Sequence, residues 1–505
     1  MQKKYVYRIV KIVILGIALL AVLFVLQNIL RHKCIYRLDE TPESEMWQEF
    51  YSLDKNSLDI VFLGNSHVYN GINPAVFYEE TGIKGFDMAT SNQDLFVSYY
   101  ILKEMLKTQS PEVVVLDTYA LHLSLTPQEE QLRSTYYKMA FDSMKLSSNK
   151  VKAVREWKTL KDDINVVERL FPIFEYHSRW EELNETDFSD TAMRTVNLGH
   201  AYAFKTIEGV ELEGYDMYEE PVDPTGQSRE YFDRIVRLLS ENNVTLVLVS
   251  LPEAGSDPGE NAANGALADE NGLWFINYNE ASRLRSLDLD CEKDLRDASH
   301  LNALGADKLT RALAKDLTAL NVITSREKND TYYNGKVSLN ERVMLNRSIS
   351  DIENFEEYIE TVRDNGYVVL VSANGEAFEG LSDEYKAYFG PLFANDISDS
   401  WGRSFIGVIE PGTSFSLLDT GRLCYASSLK NGTGYSIESI GYYAASDGEY
   451  FPYASIVIDN VEYAENEEGL NFVIYDPLTE QVIDHCVFVT TMEEKPVYRT
   501  FYYLH

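Results

Sequence analysis

The sequence predicts an α/β protein in three parts: an N-terminal transmembrane helix, a three-layer α/β/α domain around a parallel sheet, and a C-terminal β-rich α+β domain. Three observations carry that expectation. Residues Ile9 to Leu30 are almost all apolar. Between about residues 55 and 320, short β-branched runs alternate with helical stretches, the pattern of parallel strands joined by crossover helices. From about residue 335 the texture changes to many short strands that end in Gly or Asp turns. A chain of 505 residues is too long for one core. The expected parts are therefore residues 1–35, 36–325 and 336–505, with a polar linker near Ser325 to Asn334.

The apolar run from Ile9 to Leu30 is broken only by Lys11, Gln27 and Asn28. At about 1.5 Å rise per residue, a helix of that length crosses a hydrocarbon core of about 30 Å. Lys3, Lys4, Arg8 and Lys11 precede or enter it, which favours a cytoplasmic N-terminus, although Arg31, Lys33 and Arg37 follow. A cleaved signal peptide is the rival reading, but its apolar region would be shorter and no small-x-small site follows Leu30. Leu30-Arg31-His32-Lys33-Cys34 also lacks the small residues of a lipoprotein signal. A signal anchor is expected, with the chain after about residue 35 outside the membrane.

In the second part, strands are expected at 59–63, 84–88, 112–117, 244–249 and 273–277. Helices are expected at about 94–108, 230–239 and 304–317. Residues 121 to 225 are charged and helix-prone without a clear strand. They are expected to form a helical insertion that caps the active-site face and shapes a polymer-binding groove. Gly255 to Gly265, rich in Gly, Ala and Asn, reads as a loop near the site and a mobile lid.

Two motifs carry chemistry. Gly64-Asn65-Ser66-His67 follows the apolar strand Ile60-Val61-Phe62-Leu63, and Asp297-Ala298-Ser299-His300-Leu301-Asn302 precedes a helix. Together they supply a serine, a histidine and a carboxylate. Hydroxyl attack at neutral pH needs a base within hydrogen-bond reach and a third group to orient that base. A turn after a parallel strand exposes Ser66 at the carboxyl end of the sheet, where open α/β folds place their ligands. Each motif also has a bland reading: Gly, Asn and Ser form turns, and Ser299 or Asn302 suits a helix cap. Their joint occurrence in this order favours catalysis. The 8 histidines form no His-x-x-x-His or Cys/His cluster, so neither a metal nor a cofactor is expected.

Gly-Asn-Ser-His near the start, with Asp-x-x-His-Leu-Asn-x-x-Gly-Ala near the end, resembles the SGNH (GDSL-type) hydrolase superfamily. The nearest branch is that of the membrane-tethered DltD-like and alginate O-acetylation-like proteins of bacterial surfaces. Tyr99-Tyr100-Ile101-Leu102-Lys103-Glu104, Pro111-Glu112-Val113-Val114-Val115-Leu116-Asp117 and Asn302-Ala303-Leu304-Gly305-Ala306 fit the intervening pattern, and the likeness covers about residues 55 to 320. It implies Ser66 as nucleophile, His300 as general base and Asp297 as the group that orients the imidazole. It also implies an oxyanion hole made of the serine's own N–H, a glycine N–H and an asparagine side chain. This chain departs there: Ala89-Thr90-Ser91-Asn92-Gln93-Asp94 stands where a glycine is expected, and there is no Gly-x-Asn-Asp block. Asn92 is the first candidate donor and Asn65 the second. His67 is expected to shape the pocket and not to act as base.

The third part is expected to open with a helix at about 352–365, strand Tyr367-Val368-Val369-Leu370-Val371 and a helix at about 382–389. It resembles the interleukin-like EMT-inducer (ILEI/PANDER) domain, a compact β-sandwich-like module. The carriers are Tyr453 to Tyr463 running into Gly469-Leu470-Asn471-Phe472-Val473-Ile474-Tyr475-Asp476, and Asp399-Ser400-Trp401 after Tyr388-Phe389-Gly390, with Gly407 behind. The order of the two blocks is inverted relative to that family, which implies a circular permutation or a second partial copy; permutation leaves a compact domain's contacts intact. Trp401, Tyr442, Tyr443, Tyr450 and Tyr453 are either sugar-stacking faces or ordinary core aromatics.

The net charge of -35 argues against nucleic acid as partner, and against docking on anionic surfaces by charge alone. Four cysteines are too few for a disulfide scaffold; Cys424 and Cys486 are the candidate pair, with Cys34 and Cys291 unpaired. Two functional expectations result. One is a membrane-anchored extracellular serine esterase or O-acyl(acetyl)transferase that acts on a cell-surface glycopolymer through an acyl-enzyme on Ser66. Its partners would be a surface polysaccharide and a multi-span membrane acyltransferase, and its place the bacterial cytoplasmic membrane, single-pass with the N-terminus inside. The other is a catalytically inactive SGNH-like protein that serves as a glycan- or protein-binding assembly factor at the cell surface.

Overall fold

The computed structural model describes residues 2–30, 43–123, 127–162, 164–171, 173–181, 183, 196–224, 226–378, 392, 400–446, 448, 450–489 and 497–498. They divide into two compact units, residues 1–340 and 341–504. The first is an α/β domain with a five-stranded parallel sheet, preceded by helix α1, Gln2–Leu30. Within α1, Tyr5–Gln27 is long and apolar enough to cross a membrane, with a mean hydropathy of 3.1. The sheet holds β1 (Ile60–Gly64), β2 (Gly85–Ala89), β3 (Val113–Asp117), then β6 (Thr245–Ser250) and β7 (Trp274–Asn277). Strands β4 (Val196–Asn197) and β5 (His200–Ala201) form a separate two-residue ladder.

Strand order is β2-β1-β3-β6-β7, every pair parallel. The chain crosses to one side of β1 to make β2 and to the other side to make β3. The topological switch point of this order lies between β1 and β3, where such sheets open a crevice at their carboxyl ends. Both faces are covered, so the strands read as continuous apolar runs and not as alternation. Val61, Leu63, Val114, Leu116, Leu246 and Leu248 enter one core; Ile60, Phe62, Val113, Val115, Val247 and Val249 enter the other. The expected strands and helices sit within a few residues of their places.

Helices α2 (Glu43–Ser52), α3 (Ser66–Gly71), α4 (Pro74–Thr81) and α5 (Leu95–Met105) flank the first strands. The insertion differs from expectation. Its described helices are α6 (Tyr119–His122), α7 (Pro127–Asp142), α8 (Ser148–Leu160), α9 (Val166–Leu170), α10 (Ile173–Tyr176) and a 3₁₀ turn at His177–Glu181. Helices α7 and α8 lie against the sheet: Tyr137, Phe141 and Trp157 pack with Phe96 and Tyr231 in the core on one of its faces. Residues 202–224 are largely irregular and follow the β4–β5 ladder. Helix α11 (Gln227–Glu241) leads into β6.

The supposed lid is also corrected. Pro258–Asn271 is a helix, α12, started by Pro258 and capped by the Asp257 carboxylate, which accepts from the Gly259 and Glu260 amides. The cap and the proline override the weak intrinsic propensity of its Gly and Asn residues. Short helices α13 (Ala281–Ser286) and α14 (Cys291–Asp294) precede α15 (Ala303–Ala319).

The linker is shorter than expected. Helix α16 begins at Thr331 and runs to Ile349, and the unit boundary falls inside it, at Asn340, rather than at 325–336. Tyr333 anchors its first turn in the α/β core, its hydroxyl donating to the Gly85 carbonyl at 2.9 Å.

The second unit contains helix α17 (Phe355–Asp364) and a ten-stranded mixed sheet. Strand β8 (Val368–Gly375) pairs antiparallel with β9 (Ser404–Glu410), which pairs with β10 (Thr413–Asp419). A second ladder joins β11 (Leu423–Ser428), β12 (Gly434–Gly441), β13 (Tyr453–Ile458) and β14 (Val461–Glu462). Strand β15 (Gly469–Asp476) lies on the other side of β8, followed by β16 (Gln481–Phe488) and β17 (Val497–Tyr498). Only a two-residue parallel bridge, Ile440 and Gly441 against Asn374 and Gly375, links β12 to β8. Alternation along β8 serves two cores: Val369 and Val371 meet α17, whereas Val368 and Leu370 share a cluster with Ile437, Ile456 and Ile458 of the second ladder. The helix expected at 382–389 and the residues Tyr388, Phe389, Gly390 and Asp399 lie outside the described residues.

One expectation for this unit is corrected, and one open alternative is narrowed. Cys424 and Cys486 are both free: Cys424 is exposed on β11, while Cys486 is buried on β16 with its Sγ 3.4 Å from the Tyr358 hydroxyl. Trp401, Tyr442 and Tyr443 are not core residues; they are 41%, 43% and 40% exposed and pack on one another.

Asp476 is the polar pin of this unit. Its buried carboxylate accepts from Arg342 at 2.7 Å, Asn346 at 2.8 Å, Thr479 at 2.7 Å and the Leu478 amide at 2.9 Å. Asp476→Ala would strand the largely buried Arg342 guanidinium. It should cost about 3–5 kcal/mol in urea unfolding followed by near-UV circular dichroism, with Asp476→Asn milder.

Candidate active site

Position 64 decides where the serine stands. A Cβ on Gly64 would lie 2.4 Å from Val68 Cγ2 and 2.9 Å from Asp117 Cβ. Without one, β1 turns at once into α3, and Ser66 becomes its first residue at the carboxyl edge of the sheet. Asn65 is the cap: its carboxamide oxygen accepts from the His67 N–H at 2.9 Å, and the residue is buried. The Ser66 N–H is a first-turn amide, one of those a helix leaves without an intrahelical acceptor.

His300 arrives from the far end of the domain on a pinned loop. Leu295 and Leu301 bridge its base, and the Arg296 amide donates to the His300 carbonyl at 2.9 Å. Asn302 caps α15 by accepting from the Leu304 and Gly305 amides, and its own amide donates to the Asp294 carbonyl. Gly305 is required there, because a Cβ would sit 2.4 Å from the Asp294 carbonyl oxygen. The buried Asp294 is paired with Lys308 at 2.7 Å.

The structure brings Ser66, His300 and Asp297 together. The Ser66 hydroxyl is 2.7 Å from His300 Nε2, and His300 Nδ1 is 2.8 Å from Asp297 Oδ1. With Nδ1–H donating to the carboxylate, Nε2 is the free acceptor for the serine proton. Asp297 also accepts from the Ser299 and His300 amides. Partial burial opposes its ionisation. The His300 hydrogen bond and charge, the Ser299 amide and the Arg296 charge outweigh that and hold it at about 2. It is therefore an anion near pH 7.

His67 stands behind this chain, its ring 4.2 Å from that of Tyr119 and 5.0 Å, edge-on, from that of His300. Burial, then the neighbouring His300, push it down to about 3, against a smaller opposing effect of Asp297. It stays neutral near pH 7 and packs against the base from the side. Asn92 lies at the apex of the turn after β2, in the left-handed conformation (φ 46°) that asparagine tolerates. The turn is held by Thr90 Oγ1 donating to Gln93 Oε1 at 2.9 Å and by the contact of Ser91 with the Tyr69 hydroxyl at 3.0 Å. Since Ala89 is in register with Gly64, that turn leaves the same edge as Ser66.

A small acidic pocket adjoins His67, and the sequence reading missed it. Its walls include Asp117, Tyr119, His122, Glu253, Glu260 and Asn264, with room of about 20 Å³, enough for one water-sized group. Burial raises Asp117 to about 7 against three backbone hydrogen bonds, and its Oδ2 has no hydrogen-bond partner among the described residues. Burial, with Asp117 and Glu260 nearby, raises Glu253 to about 8. The signal available in the sequence was a carboxylate ending a buried strand at the switch point. No group of three or more metal-ligating side chains occurs among the described residues.

Comparison with models of protein families and with curated proteins finds no match.

Two outcomes are expected. Gly64→Ala should cost about 1–3 kcal/mol in thermal or urea unfolding through overpacking and should also displace Ser66. Because Asp117 and Glu253 have folded values raised above their unfolded ones, the folded state holds extra protons between about pH 4 and 8. Stability should therefore fall as pH rises through that window, by up to roughly 1.4 kcal/mol per pH unit per group. Asp117→Asn should flatten this decline in melts recorded from pH 5 to pH 8.

Proposed function

We propose that the protein is a membrane-anchored serine esterase or O-acyltransferase of SGNH type, acting outside the membrane on a glycopolymer. The observation that carries this reading is the continuous hydrogen-bond chain from Ser66 through His300 to Asp297. Three groups from two distant motifs meet at catalytic distances at the switch point of a parallel sheet. In this reading Ser66 Oγ attacks an ester carbonyl while His300 Nε2 takes its proton. The imidazolium, held by Asp297, then returns that proton to the leaving alcohol, which departs as the acyl-enzyme forms. Water or a sugar hydroxyl, deprotonated by the same nitrogen, attacks the acyl-enzyme and releases Ser66. The Ser66 N–H and Asn92 would face the oxyanion. Asn65 is the weaker candidate, since its carboxamide oxygen serves the helix cap.

The helix Tyr5–Gln27 supports a single-pass anchor that keeps the site near the cell surface, and the SGNH-like motifs support the polymer substrate. The ILEI-like resemblance of the second unit, with Trp401, Tyr442 and Tyr443 exposed as a group, supports glycan contact there. That cluster also suits the alternative of a binding and assembly factor without turnover.

The test is turnover of 4-nitrophenyl acetate, with labelling by a serine-directed fluorophosphonate. Ser66→Ala and His300→Ala should each lower kcat by about 10⁴–10⁶-fold, and Asp297→Asn by a smaller factor. The wild-type protein should be labelled and Ser66→Ala should not. A folded wild-type protein that takes no label would favour the binding reading.

A further inference from the structure

The segment that follows α8 carries a surface that catalysis does not use. Its last turn is tied to the end of the apolar helix: Arg179 Nη1 donates to the Leu30 carbonyl at 2.6 Å, and both residues are buried. Leu30 is the last residue of α1, so Arg179 satisfies a carbonyl that a helix end leaves open and sets a cation against the negative end of the helix dipole. The chain therefore passes Arg179 at the level where α1 ends.

Around that tie the outward side chains are apolar. Trp180 is 66% exposed and Phe174 57%, with Val167 and Phe171 also exposed. Underneath, the segment is fastened to the domain. The Tyr176 hydroxyl donates to Asp142 at 2.8 Å, Lys138 lies over the Tyr176 ring, and Asn165 caps α9. Local charge is close to balanced. From Lys150 to Glu181 there are seven Lys and Arg against six Asp and Glu, in a protein of net charge -35, and within Val166–Glu181 two Arg stand against three Glu.

We propose that Val166–Glu181 is an interfacial membrane contact, with Phe174 and Trp180 inserted at the headgroup level of the lipid layer that α1 crosses. Trp180 has the polar-edged ring that favours that depth, Phe174 adds apolar area, and the near-balanced local charge spares the segment the repulsion that the rest of the acidic chain would meet at phosphate headgroups. The inference rests on the reading of α1 as a membrane span. It adds a second point of attachment, which turns a tethered domain into an oriented one. The orientation follows from the contacts. Arg133 and Tyr137 of α7 meet Asp94 beside the carboxyl edge of the sheet, whereas Asp142, at the other end of α7, meets Tyr176. The lipid-facing segment thus lies away from the edge that holds Ser66, and the site opens away from the bilayer.

The tryptophans of the full-length protein provide the probe, because α1 contains none. The protein is reconstituted in phosphatidylcholine–phosphatidylglycerol vesicles whose acyl chains carry bromine just below the carbonyls. Tryptophan quenching is compared between the wild type and Trp180→Phe, with alkaline carbonate extraction of both. Retention of both proteins in the carbonate pellet, with most of the quenching lost in Trp180→Phe, is the expected result. Quenching unchanged in a carbonate-resistant Trp180→Phe protein would overturn this inference and leave the anchor standing. Release of the wild type by carbonate would overturn the anchor reading and this one with it. Phe174→Ala should weaken the quenching of Trp180 while leaving hydrolysis of a soluble ester unchanged.

Discussion

The missing side chain at position 64 is the constraint on which the active-site edge depends. Strand β1 must end, reverse into α3 and present Ser66 in the space of two residues, with Val68 above and Asp117 alongside. Any Cβ would push one of these three away. The crowding also explains why β1 and β3 can be neighbours at the switch point and still leave a crevice there. The second fixed quantity is the position of the His300 loop, and it is determined independently. Gly305 lets α15 start against Asp294, Asn302 closes the loop, and the imidazole reaches the serine across a seam that also holds the Arg296–Asn70 hydrogen bond and the edge-on contact of His67 with His300.

The site combines a conventional hydrogen-bond chain with an unusual surrounding. Two neutral-pH carboxyl groups and a neutral histidine lie behind the base, in a space barely larger than a water molecule. Carboxylates that are costly to ionise when buried are retained only where geometry or chemistry gives a return. Here Asp117 also forms the wall against which Gly64 packs, so its Cβ is structural even if its carboxyl serves the substrate.

Much of this was legible in the sequence because the first domain uses strong local signals. Strands buried on both faces show as uninterrupted β-branched runs, and Ser66, Asp297 and His300 stood out because two turn-and-cap motifs, each bland alone, occur together in one order. The misreadings share a physical origin. Helix α12 mixes Gly and Asn with its alanines and is started by Asp257 and Pro258, so its turn-forming residues suggested a loop. The α7–α8 pair was read as a cap because charge on one face concealed Tyr137, Phe141 and Trp157 on the other. Asp117 was visible only as the last residue of a strand; its desolvation depends on β6 and α12, far away in the chain.

Cysteine usage has a consequence for where and how this chain can mature. Cys291, Cys424 and Cys486 are all thiols, and Cys486 is held inside the second unit against Tyr358. No covalent cross-link joins strands among the described residues, so the compactness of both units rests on packing and on pins such as Asp476. The packing of the described residues therefore depends neither on a thiol oxidase or isomerase nor on whether the surroundings are oxidising or strongly reducing.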